Sequence, residues 1–324
     1  MKRILAFVLL AIFVPGLFAG CGRAQDAPEG EKLKIVATIF PLYDWTRNVL
    51  GGADEKSELT LLMNRGVDLH SFQPAAADIV KISSCDLFLY VGGESDEWVD
   101  DVLGEVANPR MRVINLMELL GDRVREEEIR GGMEEENGDG EEESETDEHV
   151  WLSLRNAALF TEAIAKALSE LVPEEKDRYE KNAREYAEKL SALDEAYEKA
   201  VKEAPGKTLL FADRFPFRYM TEDYGLEYYA AFPGCSAETE ASFETVVFLA
   251  KKTDEMNLPA VLVTESSDRS MARTVMENTA GKDREILVLD SLQSADGSEA
   301  AGDGYLARMK SNLDVLRKAL GAKE

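Results

Sequence analysis

Only two histidines, His70 and His149, occur in the 324 residues of this chain. Imidazole is the commonest neutral metal ligand and the usual general base, so both positions invite a site. His70 closes the turn-rich stretch Asn64-Arg65-Gly66-Val67-Asp68-Leu69-His70. His149 lies in Asp147-Glu148-His149-Val150-Trp151-Leu152-Ser153, between an acidic run and a long helical pattern. The competing reading is two ordinary surface residues. Asp213 and Asp290 stand in comparable places, each following an apolar run, Thr208 to Ala212 and Glu285 to Leu289. Two nitrogen and two oxygen donors drawn from separate segments would suit a first-row divalent ion. Each acid taken alone is more often a cap or a surface charge.

The elements that must position these residues read as alternating strands and helices. Lys34 to Phe40, Glu58 to Met63, Asp86 to Val91 and Arg112 to Leu116 have the short apolar character of buried strands. Helical patterns separate them, as at Ala75 to Ser83 and Glu97 to Leu103. The alternation resumes at Thr208 and closes with a helix from Tyr305 to Leu320. It predicts an α/β fold of two lobes, each a mostly parallel sheet flanked by helices, with ligands at the C-terminal ends of strands. Asn156 to Val172 is helical in spacing. Pro173 begins a second helix that runs to about Glu203 before Pro205-Gly206 stops it. About thirty residues at 1.5 Å each span ~45 Å, longer than one lobe. The expected organisation is an N-terminal lobe over 32–172, a spine helix over 173–204 and a C-terminal lobe over 205–324, with the metal site in the cleft.

Ahead of the first lobe, Met1-Lys2-Arg3 and the apolar run Ile4 to Leu17 form an export signal over 1–20. Leu17-Phe18-Ala19-Gly20-Cys21 resembles a bacterial lipobox, whose cysteine is lipidated and becomes the first mature residue. Residues 21–31 then read as a flexible tether, so the expected location is extracytoplasmic, anchored to the cell membrane. Cys85 and Cys235 are widely separated and carry no disulfide-framework signal, so no pairing is expected.

With 37 basic and 63 acidic residues the net charge is −26, and losing Lys2 and Arg3 with the signal takes it to −28. Such a field argues against nucleic acid and favours cationic ligands. Much of it lies in Glu126 to Glu148, where 13 acids accompany a single arginine and few apolar residues. That run is expected to be a disordered loop, either a plain solvating insert or a weak cation collector beside His149.

Taken together, the chain resembles the solute-binding lipoproteins of manganese and zinc ABC importers over essentially its whole mature length. Gly66-Val67-Asp68-Leu69-His70 through Asp78 is similar to the family's first-ligand motif, and Asp147 to Ser153 resembles the second. Glu265-Ser266-Ser267 and Asp290-Ser291 match later strand ends, the second carrying the last carboxylate ligand. The acidic run stands where zinc-specific members often have a histidine-rich loop.

The resemblance implies a monomeric receptor, not an enzyme, that carries one Zn²⁺ or Mn²⁺ to an ABC permease. Its third ligand does not align: counting back from Tyr224 reaches Arg214, which cannot ligate. Asp213 serves instead if the loop shifts by one residue; water or an acid of the loop is the alternative. Arg214, Glu265 and Arg269 are expected behind the ligands. A His-His-Asp-Asp set is oxygen-rich enough for manganese, while intrinsic affinity rises toward zinc. Two other readings compete: a receptor for a metal chelate, with Arg214, Arg218 and Arg269 clamping the anion, and a two-histidine metallohydrolase.

Overall fold

Apolar runs of four to eight residues become strands, and every strand pairs parallel with its neighbours. The computed structural model describes residues 32–322 except 53–54, 64–66, 134–145, 237–240, 282, 294 and 296–303. The signal, the tether, Cys21 and the middle of the acidic run therefore lie outside the described residues.

β1 (Leu33–Ala37) takes β2 (Ser57–Leu61) on one side and β3 (Leu87–Tyr90) on the other, and β4 (Arg112–Asn115) extends the sheet beyond β3. Parallel neighbours need crossovers. These are supplied by α1 (Phe40–Leu50), α2 (Ala76–Ser83) and α3 (Trp98–Leu103). β3 is buried along its whole length, as expected of a central parallel strand covered on both faces. The sequence reading carried β4 through Leu116. The strand instead ends at Asn115, whose side chain accepts the Glu118 N–H and starts α4 (Leu116–Leu120).

α5 (Leu154–Leu171) and α6 (Lys176–Glu203) connect this sheet to the next. A short 3-10 turn over Pro173–Glu175 precedes α6. Its 28 residues span ~42 Å at 1.5 Å per residue. It buries Tyr179, Ala183, Tyr186, Leu190, Tyr197, Ala200 and Val201, the single face that helical periodicity predicts.

The second sheet repeats the first. β5 (Thr208–Phe215), α7 (Arg218–Tyr224), β6 (Glu227–Pro233), α8 (Phe243–Glu255), β7 (Ala260–Val263), α9 (Ser270–Glu277) and β8 (Glu285–Val288) give the order β6-β5-β7-β8, and α10 (Tyr305–Ala319) returns to the spine. One continuous apolar cluster runs from Ile35 and Trp45 through Trp151 and Tyr197 to Phe211 and Tyr305. Polar ties reinforce it. Asp44 of α1 accepts the Tyr305 N–H of α10 at 3.0 Å and the Tyr186 hydroxyl of α6 at 3.3 Å. Tyr305 donates its hydroxyl to the Trp151 carbonyl at 2.6 Å, and Trp151 donates its indole N–H to the Ser291 carbonyl at 2.9 Å. Both sheets are thus bound into one core along the spine.

The described ends of the acidic run are tied to the fold. Glu126 bridges Thr146 in antiparallel fashion and the Asp147 N–H donates to the Arg125 carbonyl at 2.8 Å. The ends of the run are held because Asp147 and Glu148 are buried and hydrogen-bonded beneath the site.

Candidate metal centre

His70 is set by the residue two before it. The Asp68 carboxylate accepts the His70 N–H at 3.0 Å, an Asx turn that opens the 3-10 turn Leu69–Ser71. Leu69 anchors that turn in the core. The His70 Nδ1 lies 2.8 Å from Ser95 Oγ and 3.5 Å from Glu148 Oε2. His149 repeats the device. Asp147 Oδ1 accepts its backbone N–H at 2.8 Å and lies 3.1 Å from Nδ1. A carboxylate only accepts, so Nδ1 carries the hydrogen and Nε2 keeps its lone pair for the cleft. The buried 3-10 turn Val150–Leu152 follows and locks the backbone in place.

The two Nε2 atoms meet at 3.3 Å, with His149 wholly buried and His70 nearly so. Burial and the charge of His149 push His70 down to about 3. Burial opposes a charge on His149 as well, but the carboxylates of Asp147, Glu127 and Glu148 outweigh it and raise that imidazole above its ordinary value. Two imidazolium ions cannot coexist at this separation, so a proton on the pair belongs to His149. A metal ion would take its place.

Glu148 is buried, which lifts its carboxyl to about 7. Its Oε1 accepts the Ser95 N–H at 2.8 Å, whereas Oε2 has no hydrogen-bond partner. The loop after β3 passes so close that a Cβ on Gly93, which has φ +83°, would lie 2.4 Å from Glu148 Oε1. Only glycine meets both conditions.

The second sheet brings two side chains that the sequence reading did not assign. Cys235 follows β6; its Sγ and one ring nitrogen from each histidine lie within 4.8 Å of one another. Its backbone N–H donates to Glu127 Oε1 at 2.7 Å. Gly234 makes the approach possible, since a Cβ there would fall 2.9 Å from the Phe215 carbonyl and 3.1 Å from His149 Cε1. The Gln293 amide nitrogen stands 2.9 Å from His149 Nε2 and 3.3 Å from His70 Nε2.

Asp213 and Asp290 do not join the histidines in the cluster found among the described residues. The β5–β6 ladder slips between Phe211 and Arg214, which re-aims Asp213 toward β7. There Oδ2 accepts both the N–H and the hydroxyl of Thr264 at 2.8 Å, while Oδ1 accepts the Arg214 N–H. Asp290 pairs with Arg308 at 2.7 Å and accepts the Leu292 N–H at 2.8 Å. Each is consumed in joining neighbouring segments.

Of the three residues expected behind the ligands, Arg214 reaches across to Asp68 at 3.0 Å and so braces the turn carrying His70. Glu265 accepts the Ser291 N–H and hydroxyl, shaping the loop that presents Gln293. Arg269 is exposed at the start of α9. Cys85 and Cys235 are both free thiols, as expected. The missed residues left a signal: Cys235 lies two residues past the end of β6 and Gln293 five past the end of β8, where a parallel fold gathers ligands.

Residues 35–319 match a family model described as zinc-uptake complex component A, periplasmic. The chain is 31% identical to the zinc-binding lipoprotein AdcA of Streptococcus pneumoniae over 98% of its own length, and it spans 61% of that protein. It is 28% identical to the high-affinity zinc uptake system protein ZnuA of Bacillus subtilis, covering 98% of this chain and 97% of that one. The crystal structure of the Zn(II)-bound ZnuA-like domain of Streptococcus pneumoniae AdcA superposes with a TM-score of 0.69 at 29% identity, over 89% of this chain and 99% of that domain. The resemblance carried by the histidine motifs thus extends through both sheets and the spine, and the chain belongs to the ZnuA family of zinc-uptake components.

Proposed function

We propose that this protein is an extracytoplasmic receptor that captures one zinc ion in the cleft and delivers it to an ABC permease, held at the membrane by lipid on Cys21. One observation carries the reading. The chain's two histidines, 79 positions apart, meet with Nε2 atoms at 3.3 Å, each backed by buried hydrogen-bonding groups. That backing is how proteins hold imidazoles for a metal. A receptor, unlike a hydrolase, needs no nucleophile poised beside a base.

Zinc is favoured over manganese. The manganese reading rested on two carboxylate ligands, and Asp213 and Asp290 are engaged elsewhere. Imidazole with few hard oxygen donors suits zinc better. The chelate reading loses two of its three clamps, because Arg214 pairs with Asp68 and Arg218 with Glu128.

The test is thermal unfolding of the metal-stripped chain titrated with Zn²⁺ and Mn²⁺. Zinc at a hundred times its dissociation constant should add ~2.7 kcal/mol of stability, and His70→Ala should abolish the gain. Stabilisation by neither ion would overturn the receptor reading. Membrane partitioning of the expressed chain, lost in Cys21→Ala, tests the anchor.

A further inference from the structure

We propose that Cys235 supplies the third protein ligand, so that the cargo ion is held by two imidazoles and a thiolate and the receptor selects thiophilic zinc against manganese. The inference rests on the receptor reading and specifies its donor set.

The geometry begins with the histidine pair. A tetrahedral zinc site has Zn–N distances of about 2.0–2.1 Å, which places neighbouring nitrogens about 3.3 Å apart. The Nε2 atoms of His70 and His149 already stand at 3.3 Å, the edge of such a tetrahedron. Among the described residues, the group of histidine, cysteine and acidic side chains gathered with them is completed by Cys235, with donor atoms within 4.8 Å of one another. A Zn–S distance of about 2.3 Å would bring sulfur and nitrogen to about 3.5 Å, within reach of a small side-chain rotation.

Charge points the same way. Two neutral imidazoles and the Gln293 amide bring no negative charge to a dication in a buried cleft. The thiolate is the anionic donor the cluster contains. Binding breaks the Cys235 S–H bond and forms a sulfur–metal bond, with the proton released to solvent. The carboxylates of Glu127, Asp147 and Glu148 lie around the thiol, and their field attracts the cation.

The local sequence is built for this placement. Gly234 leaves room for the His149 ring edge, and Glu127 from the acidic run holds the Cys235 N–H. The run thereby positions a donor, beyond adding negative field.

The test uses the full chain carrying Cys21→Ser and Cys85→Ala, which leaves Cys235 as its one thiol. Loaded with Co²⁺, it should show an intense near-ultraviolet thiolate-to-cobalt charge-transfer band, absent after the further change Cys235→Ser. Competition with a chromophoric chelator should show Cys235→Ser weakening zinc by ~tenfold or more while manganese affinity stays level, so that the zinc preference narrows. Zinc binding with no charge-transfer band, or an unchanged zinc affinity in Cys235→Ser, would overturn the ligand assignment and leave the receptor standing. Failure of the parent chain to bind zinc or cobalt would overturn both.

Discussion

The two sheets share one strand order and differ in how they hold their donors. The donors preceding the spine are braced side chain by side chain: Asp147 on His149, Ser95 on His70, and Asp68 and Arg214 on the turn behind. Past the spine, Cys235 and Gln293 sit on the loops after β6 and β8, where Glu127 accepts the Cys235 N–H and the Gln293 amide is held by Ser291 Oγ and by the two imidazoles themselves. The repeated fold fixes where a ligand can be offered, while local partners decide how rigidly. One half of the site is held by partners outside it, whereas Gln293 leans on the imidazoles that would hold the ion.

Substitutions on either side of the spine test this contrast. The largest effect is expected for His149→Ala, which should abolish zinc binding as read by calorimetry, since no neighbouring donor can replace a wholly buried imidazole. Asp147→Asn should keep the fold and lower zinc affinity by ~10–100-fold, the usual cost of removing an orienting partner. If Gln293 only leans on the imidazoles, Gln293→Ala should cost less than that, below ~tenfold in the same assay. An equal or larger loss would erase the distinction. Asp213→Ala should leave zinc affinity unchanged and destabilise the chain by ~1–3 kcal/mol in urea unfolding, because the buried Thr264 donors lose their acceptor.

The smallest effect separates the halves by pH. Asp96, beneath the His70 side, accepts the Val91 and Gly92 N–H groups, and its burial raises the carboxyl to about 6. The folded state therefore holds this proton more tightly than the unfolded chain. Metal-free stability should rise as pH falls from 7 through 6 toward 4, and Asp96→Asn should remove that increment while gaining of the order of 1 kcal/mol at pH 7. Glu148 titrates in the same direction, so the reading is the difference between variant and parent.

How far the sequence reached follows from what each signal encodes. Strands, helices and spine were legible because apolar periodicity is a local property, and the histidines because both lie in distinctive turns after a strand or before a helix. Asp213 faces Thr264 after a ladder slip within β5, which no spacing rule registers. Asp290 pairs with Arg308 of α10, a partner that comes close only once the chain has folded. Cys235 was read only as carrying no disulfide signal, and its approach to a histidine from a different segment depends on Gly234.

The clasp between Glu126 and Thr146 is followed at once by Glu127, which accepts the Cys235 N–H, and by Glu128, which pairs with Arg218. Asp147, on its other side, orients His149. A single short clasp therefore acts as a gauge block, setting how far apart an imidazole and a thiol from different sheets can stand.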